Sequence, residues 1–257
     1  DNSTGMPWEQ HDGYVQVQDI SDMKASDHMS DAVTTLALAS YLTSNQSYAN
    51  KAAQLLDVWF VDTRTVMTPH LEHAGVIPGF SNGSSTGIIV TSHRWNTRLT
   101  DAVELLASTA ALPERLLREI KRWNSQYLNW LVTSKKGLAE ANMPQNHATW
   151  HTVESAALAF ATGDVKTATQ RLDRLTDIQT PAALSHQIKS SGLMPREASR
   201  TNGAGYSCMN VAGLFHAATV ANNIRASMAT NAIGSVGRPL PPDLFSFRNS
   251  TDGSGSI

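Results

Sequence analysis

Apolar residues recur at helical spacing along most of the chain, and this periodicity restricts it to a helical fold. Two segments, 32–42 and 48–60, carry them three or four residues apart, which places them on one face of a helix. Since only the short polar sequence 43–47 separates these segments, the two helices are predicted to pack antiparallel. Strand-like sequence is confined to residues 87–91, an isolated stretch. The chain is therefore predicted to be all-α.

Five further helices are predicted to continue the hairpin pattern. The seven helices span about residues 27–42, 48–60, 96–109, 113–133, 148–161, 165–177 and 207–230. Successive antiparallel hairpins favour an incomplete α/α toroid, although a non-toroidal helical bundle would show the same periodicity. The predicted organisation is an irregular N-terminal segment, 1–26, a helical domain, 27–233, and a tail rich in Pro, Gly and Ser, 234–257.

The longest irregular stretch is predicted between residues 62 and 96. It contains Pro69, Pro78 and a Gly- and Ser-rich sequence at 79–87. A long loop in a compact domain usually has a function. This one is predicted to form a wall or lid over a cleft.

Composition excludes several classes of partner. The 257 residues carry a net charge of −2, and no run of Lys and Arg exceeds two residues, which argues against nucleic acid or a membrane surface as a partner. No apolar run approaches the roughly 20 residues that span a bilayer, and residues 1–5 lack a signal-peptide core. A soluble chain, or a processed form of one, is expected.

Cysteine and sequon positions bear on the compartment. Cys208 is the only cysteine, so no intrachain disulfide can form, and it is predicted to be a small buried residue. Glycosylation sequons begin at Asn2, Asn45, Asn82 and Asn249, all in predicted loops, turns or termini. Four sequons at such positions favour secretion.

A polar segment, 137–147, leads into the apolar helix predicted from residue 148. Because Pro144 disfavours helix in the residue before it, Asn146 and His147 are expected at or near the helix start. Backbone N–H groups are unpaired there, and the helix dipole favours an anion. The segment is thus predicted to bind a negatively charged ligand.

His147 and His151 are four residues apart, as in the zinc motif His-Glu-x-x-His. The position after His147 is Ala148, so the general base of that motif is missing. His151 is predicted to pack under the helix, and no metal site is predicted. A helical metallohydrolase remains the third and weakest alternative.

A second polar group of residues precedes the last predicted helix. Arg200 and Tyr206 lie in a Gly-containing loop there. Arginine binds carboxylates with two parallel hydrogen bonds, and adjacent cations stabilise the phenolate of a tyrosine. By composition alone, Arg200 is as readily a surface residue or a member of an ion pair, and Tyr206 an aromatic residue at the rim of a cleft.

Together, the two groups resemble the alginate lyase superfamily of helical enzymes that cleave uronate polysaccharides. The resemblance covers about residues 27–230 and includes the segments 59–69, 130–137, 145–150, 195–197 and 200–207. It implies β-elimination in a 1,4-linked polyuronate, either mannuronate-rich alginate or glucuronan, by a secreted enzyme without a cofactor.

The resemblance also implies roles for particular residues. In such enzymes an Asn-His pair and an Arg bind and neutralise the uronate carboxylate while a Tyr moves protons; the matching residues are Asn146, His147, Arg200 and Tyr206. Either Tyr206 or His147 is the base, depending on the C5 epimer. The predicted substrate-binding residues are Glu140, Gln145, Trp150, His93 and Arg94.

The chain departs from the family pattern in two respects. It has Gln145-Asn-His-Ala148 where Asn-Asn-His-Gly is usual, and about one pair of helices that members carry before the region of Asp27 is missing. Weaker binding or an altered substrate would follow. The alternative to a lyase is therefore a non-catalytic, lectin-like relative that retains the cleft.

Overall fold

The computed structural model describes residue 12 and residues 21–74, 87–230 and 240–244, and the regular secondary structure of these residues is entirely α-helical. The helices are α1 Ser21–Thr43, α2 Gln46–Phe60, α3 Ile88–Ser108, α4 Glu114–Thr133, α5 Lys135–Ala141, α6 Asn146–Ala161, α7 Val165–Asp173, α8 Leu184–Gln187, α9 Pro195–Ala198 and α10 Gly203–Thr230. None of the helices in this part of the chain is long and apolar enough to cross a membrane.

The helices form two layers. In one layer α3 contacts both α1 and α6, and α6 in turn contacts α10. The second layer contains α2, which contacts α1 and α4, and α7, which contacts α6 and α10. Hairpins stacked in this manner make an incomplete α/α toroid, so the predicted fold class is confirmed.

The core lies between the layers, and α6 is its centre. On α4 the apolar side chains at helical spacing, Leu116, Ile120, Tyr127 and Leu131, are buried on one face. Helix α6 differs, because nearly every side chain from residue 146 to 156 is buried. A helix with neighbours on all sides buries its polar residues too, so those residues must find partners inside the protein.

Helix α10 approaches α6 closely at Gly213. A Cβ atom at Gly213 would lie 2.8 Å from Thr149 Cγ2 and 3.1 Å from Trp150 Cε2. A larger residue at Gly213 would therefore require the side chains of Thr149 and Trp150 to move.

Several predicted boundaries were wrong. Helix α3 begins at Ile88 rather than near residue 96, so most of the stretch 87–91, which lay in the predicted irregular region, is helical. The β-branched run there favours a strand locally, but Ile88 and Ile89 are buried in the helical core. Helix α10 begins at Gly203, which places Tyr206 on its first turn rather than in a loop. Helix α1 begins at Ser21, before the expected start at Asp27.

Other predictions concern the surface and the tail. Cys208 is exposed, so its predicted burial was wrong. Asn45 is exposed at the N-cap of α2, whereas the sequons at Asn2, Asn82 and Asn249 lie outside the described residues. The middle of the predicted lid, residues 75–86 of 62–96, also lies outside them. In the tail, residues 240–244 pack against the protein: Pro241 accepts hydrogen bonds from the guanidinium of Arg225.

Candidate active site

The N-terminal ends of three long helices meet at one place in the fold. The N–H group of Gly87, just before α3, donates to Glu140 Oε1 at 2.7 Å, and Glu140 lies near the end of α5, shortly before α6. At the first residue of α6, Asn146 binds Glu197, which lies shortly before α10. The positive ends of three helix dipoles therefore point to one region, where they favour a bound anion.

His147 is held by Glu140. Its Nδ1 atom lies 2.5 Å from Glu140 Oε2, and the Glu140 side chain is only 2% exposed. Burial alone would raise the pKa of the Glu140 carboxyl, but the hydrogen bond and charge of His147 and the N–H group of Gly87 together lower it. An ionised carboxylate only accepts hydrogen bonds, so the proton on Nδ1 points to Glu140. The Nε2 atom of His147 is then the ring nitrogen available to a ligand.

Asn146 is held by a second buried carboxylate, that of Glu197. The Asn146 backbone N–H donates to Glu197 Oε1 at 2.6 Å, and Asn146 Nδ2 lies 2.9 Å from each carboxylate oxygen. Both residues are 1% exposed. The amide oxygen, Asn146 Oδ1, is buried and has no hydrogen-bond partner among the described residues.

Arg200 binds a carboxylate as well. Its guanidinium donates to both oxygens of Asp12 through Nε, at 2.9 and 3.0 Å, and through Nη2. The backbone N–H of Thr201 also donates to Asp12, at 3.1 Å. The hydrogen bonds from Arg200, helped by the N–H of Thr201, lower the pKa of Asp12 to about 2 against the opposing effect of burial. The guanidinium of Arg200 also contacts Tyr206: its central carbon lies 3.9 Å from the centroid of the tyrosine ring.

These three pairs are continuous with one another. Asn146 and His147 are adjacent in sequence, and the N–H group of Arg200 donates to the carbonyl of Glu197 at 3.0 Å. The structure thus brings together Glu140, the Asn146-His147 pair and Arg200 with Tyr206, which lie in separate parts of the sequence. It also adds Glu197 and Asp12, two carboxylates absent from the predicted site.

Beneath this surface, α6 carries two further titratable residues. His151 is fully buried, burial lowers its pKa to about 4, and its Nε2 lies 3.1 Å from the carbonyl of Leu131. Burial raises the pKa of Glu154 to about 7, and the side chains of Asn96 and Ser92 on α3 donate to its carboxyl group at 2.6 and 2.8 Å. His151 therefore packs under the helix as predicted, and Glu154 ties α3 to α6.

Within the described residues, no three His, Cys, Asp or Glu side chains are arranged to hold a metal ion.

Comparison with known proteins bears on the family of this chain. A family model described as Alginate lyase matches residues 1–229. The chain belongs to the alginate lyase family. The crystal structure of an alginate lyase from Bacteroides ovatus superposes with a TM-score of 0.79 and 28% identity over 91% of this chain and 65% of that one, so this chain spans about two thirds of that protein. A search of curated proteins found no match.

The family match begins at residue 1 and thus includes Asp12, upstream of the resemblance expected from about Asp27. Glu197 belongs to a segment, 195–197, that already supported membership of the alginate lyase family, and this segment is the signal that could have identified it. Asp12 has no comparable signal, because its only link to the site is a contact made in the folded chain.

The remaining predicted residues of this alginate lyase family member are placed differently. Gln145 caps α6 without a side-chain capping bond, and its Nε2 lies 3.7 Å from Met143 Sδ. Trp150 is only 5% exposed and donates through its indole N–H to the carbonyl of Met209 on α10, a position that does not favour substrate contact. His93 and Arg94 lie on α3, but the structure does not describe their side chains.

Proposed function

We propose that this member of the alginate lyase family is a polysaccharide lyase that cleaves a 1,4-linked polyuronate by β-elimination. One observation supports this function above the others. Arg200 binds the carboxylate of Asp12 with several hydrogen bonds, while its guanidinium lies over the ring of Tyr206. A uronate in the place of Asp12 would present its own carboxylate to the same guanidinium, beside a phenol that can move a proton.

The residues fit the chemistry of this elimination. A proton at C5 of a uronate is removed only if the charge that develops on the neighbouring carboxyl group is stabilised. Arg200 supplies a fixed positive charge that stays protonated, and the helix N-termini add partial positive charge. Because these groups are already held in place in the fold, little reorganisation is needed in the transition state.

Two residues are suited to proton transfer. As a phenolate, Tyr206 can take the C5 proton and then give it to the leaving O4 atom, while the C4–O4 bond breaks and a C4–C5 double bond forms. His147, with Nδ1 directed at Glu140, presents Nε2 and can act as the base if it lies on the opposite face of the sugar, with Tyr206 as the acid. The C5 epimer of the substrate decides between these two schemes.

The substrate class follows from the same residues. The family and the Bacteroides ovatus relative favour alginate, and glucuronan offers a carboxylate at the same ring position. Asn45, an exposed sequon, is in keeping with a secreted glycoprotein. No step in this scheme requires a cofactor, because the groups that move protons belong to the chain.

A panel of polyuronates tests this function. Purified protein is incubated with polymannuronate, polyguluronate or glucuronan, and the ultraviolet absorbance of the unsaturated uronate product is followed. We expect product from at least one polymer and at least about a hundredfold less from the Tyr206→Phe variant. Binding of a polymer without product would support the lectin-like alternative, and activity lost on adding a chelator would support the metallohydrolase.

A further inference from the structure

Glu197 has no assigned role in the reaction, yet it makes three contacts with one residue of the candidate site. Its carboxylate accepts from both the backbone N–H and the side-chain Nδ2 of Asn146, and neither residue is exposed beyond 1%. Glu197 lies on α9, a single turn, and its carbonyl accepts from the N–H of Arg200. The residue therefore links the start of α6 to the segment that carries Arg200.

The contact with Nδ2 determines which way the Asn146 amide faces. An asparagine side chain has donors on one side and an acceptor on the other, and a carboxylate only accepts. Turning the amide over would place Asn146 Oδ1 against the two oxygens of Glu197, which is repulsive. The negative charge of Glu197 thus holds Nδ2 against its own carboxylate. Oδ1 is then the atom of the amide that has no protein partner among the described residues.

A buried acceptor without a partner is costly, and a ligand that supplies a donor removes that cost. A uronate carboxylate has no donor, but the hydroxyl groups of the sugar do, and so does the carboxyl group when protonated. In both cases the donor that a uronate offers to Asn146 Oδ1 is an O–H group. A second carboxylate at Nδ2 would lie close to the negative charge of Glu197, so Oδ1 rather than Nδ2 is the atom of Asn146 offered to the sugar.

We propose that Glu197 is a positioning residue for this reaction: it orients the Asn146 amide so that Oδ1 accepts a hydrogen bond from an O–H group of the bound sugar. Arg200 then binds the carboxylate, and Asn146 fixes the sugar ring beside it. This inference rests on the proposed function, since it assumes that a polyuronate binds at this site.

The test is a double-mutant cycle with Glu197→Gln and Asn146→Ala. The Glu197→Gln variant retains a side-chain oxygen for the backbone N–H of Asn146 but removes the charge, so the Asn146 amide is free to turn. We expect kcat/KM on the preferred polyuronate to fall roughly tenfold in Glu197→Gln, the cost of one hydrogen bond of this class. In the Asn146→Ala background the same change should have no further effect, because Glu197 acts through Asn146.

Thr149→Val is the matched control. Thr149, also on α6, donates to Gln187 at 3.0 Å, so the variant loses a buried hydrogen bond of α6 without touching Asn146. We expect a similar loss in the thermal midpoint and unchanged turnover. An equal loss of turnover in Thr149→Val would assign the Glu197 effect to general loosening of α6 and overturn the proposal.

Two further results would overturn it. Losses that add in the double variant would show that Glu197 acts independently of Asn146. Higher affinity for oligouronate in Glu197→Gln would show that Asn146 works through Nδ2, which the variant releases. If Glu197→Gln does not fold, the cycle with Glu197→Asp decides in the same way, because the shorter side chain withdraws the carboxylate from Asn146 Nδ2.

Failure of the lyase function is distinguishable from failure of this proposal. Wild-type protein that forms no unsaturated product from any polymer contradicts the lyase. In that case oligouronate affinity replaces turnover as the quantity measured in the double-mutant cycle. The same non-additivity is expected if Glu197 orients Asn146.

Discussion

On the α6 side of the candidate site, Asn146 and His147 are bound to carboxylates that are almost fully buried, whereas on the α10 side Arg200 binds Asp12 at the surface. Glu140 and Glu197 are 2% and 1% exposed. The side chains of Arg200 and Asp12 are 25% and 35% exposed. Water competes for the second kind of contact and not for the first, so the two sides differ in how easily a ligand can replace what is there.

This difference assigns separate tasks to the two sides. Breaking a buried charged contact costs several kcal/mol, so the α6 side keeps its geometry before and after a ligand binds. An exposed ion pair contributes roughly 0–1 kcal/mol, so Asp12 can give way to another carboxylate. We therefore interpret the α6 side as the rigid wall of the site and the α10 side as the place where the substrate carboxylate exchanges.

Tyr206→Phe is expected to have the largest effect and tests the α10 side directly. The ring and its contact with the Arg200 guanidinium remain, while the group that moves protons is lost. Turnover should fall at least about a hundredfold, with substrate still bound and the thermal midpoint little changed. Tyr41→Phe, an exposed residue of α1, is the control. Full activity in folded Tyr206→Phe would contradict the proposed mechanism.

Arg200→Lys should be the next most damaging change. The positive charge is kept, but an ammonium cannot reproduce the paired hydrogen bonds of a guanidinium to a carboxylate. We expect kcat/KM to fall roughly tenfold to a hundredfold, about 1.4 to 2.7 kcal/mol at the transition state. The same replacement at exposed Arg196 should have no effect. Unchanged kinetics in Arg200→Lys would place the residue outside the site.

Glu140→Gln examines the α6 side. The variant can still accept from Gly87 but loses the charged contact with His147, and kcat/KM should fall roughly tenfold. Folding lowers the pKa of Glu140, so the stability that this carboxylate contributes is present above its ordinary value of 4.5 and is lost as pH falls through the lowered value.

The thermal midpoints of wild type and Glu140→Gln should accordingly differ at neutral pH and converge in acid. Glu104→Gln, at an exposed position of α3, is the control. A midpoint difference that persists unchanged at the lowest pH would mean that the Glu140 carboxylate charge does not stabilise the fold.

Asp12→Asn should have the smallest effect, with the opposite sign. If Asp12 occupies the position of the substrate carboxylate, its loss should lower KM about two- to fivefold with kcat unchanged, since a surface ion pair contributes at most about 1 kcal/mol. Asp62→Asn is a close control, because Asp62 binds Arg64 in the same two-point geometry and its pKa is also lowered to about 2. A higher KM in Asp12→Asn would show that Asp12 orients Arg200 instead.

Local patterns predicted much of this protein. The helical period predicted α2 and α4 nearly to their ends, and Pro144 predicted the start of α6 at Asn146. The pattern failed at Ile88 and Ile89, where a β-branched run entered a helix because the surrounding core, and not local propensity, determined its conformation. It failed at Tyr206 because the glycines around it predicted a loop.

The sequence by itself determined the all-α class and the family and singled out Asn146, His147, Arg200 and Tyr206 as candidate site residues, because periodicity and short motifs are properties of neighbouring residues. Only the tertiary structure decided their partners. Glu197 is 51 residues from Asn146, and Asp12 is 188 residues from Arg200. No periodicity or spacing connects residues so far apart; they meet because the hairpins bring the ends of α3, α6 and α10 together, where unpaired N–H groups and charged side chains require buried or exchangeable carboxylates as partners.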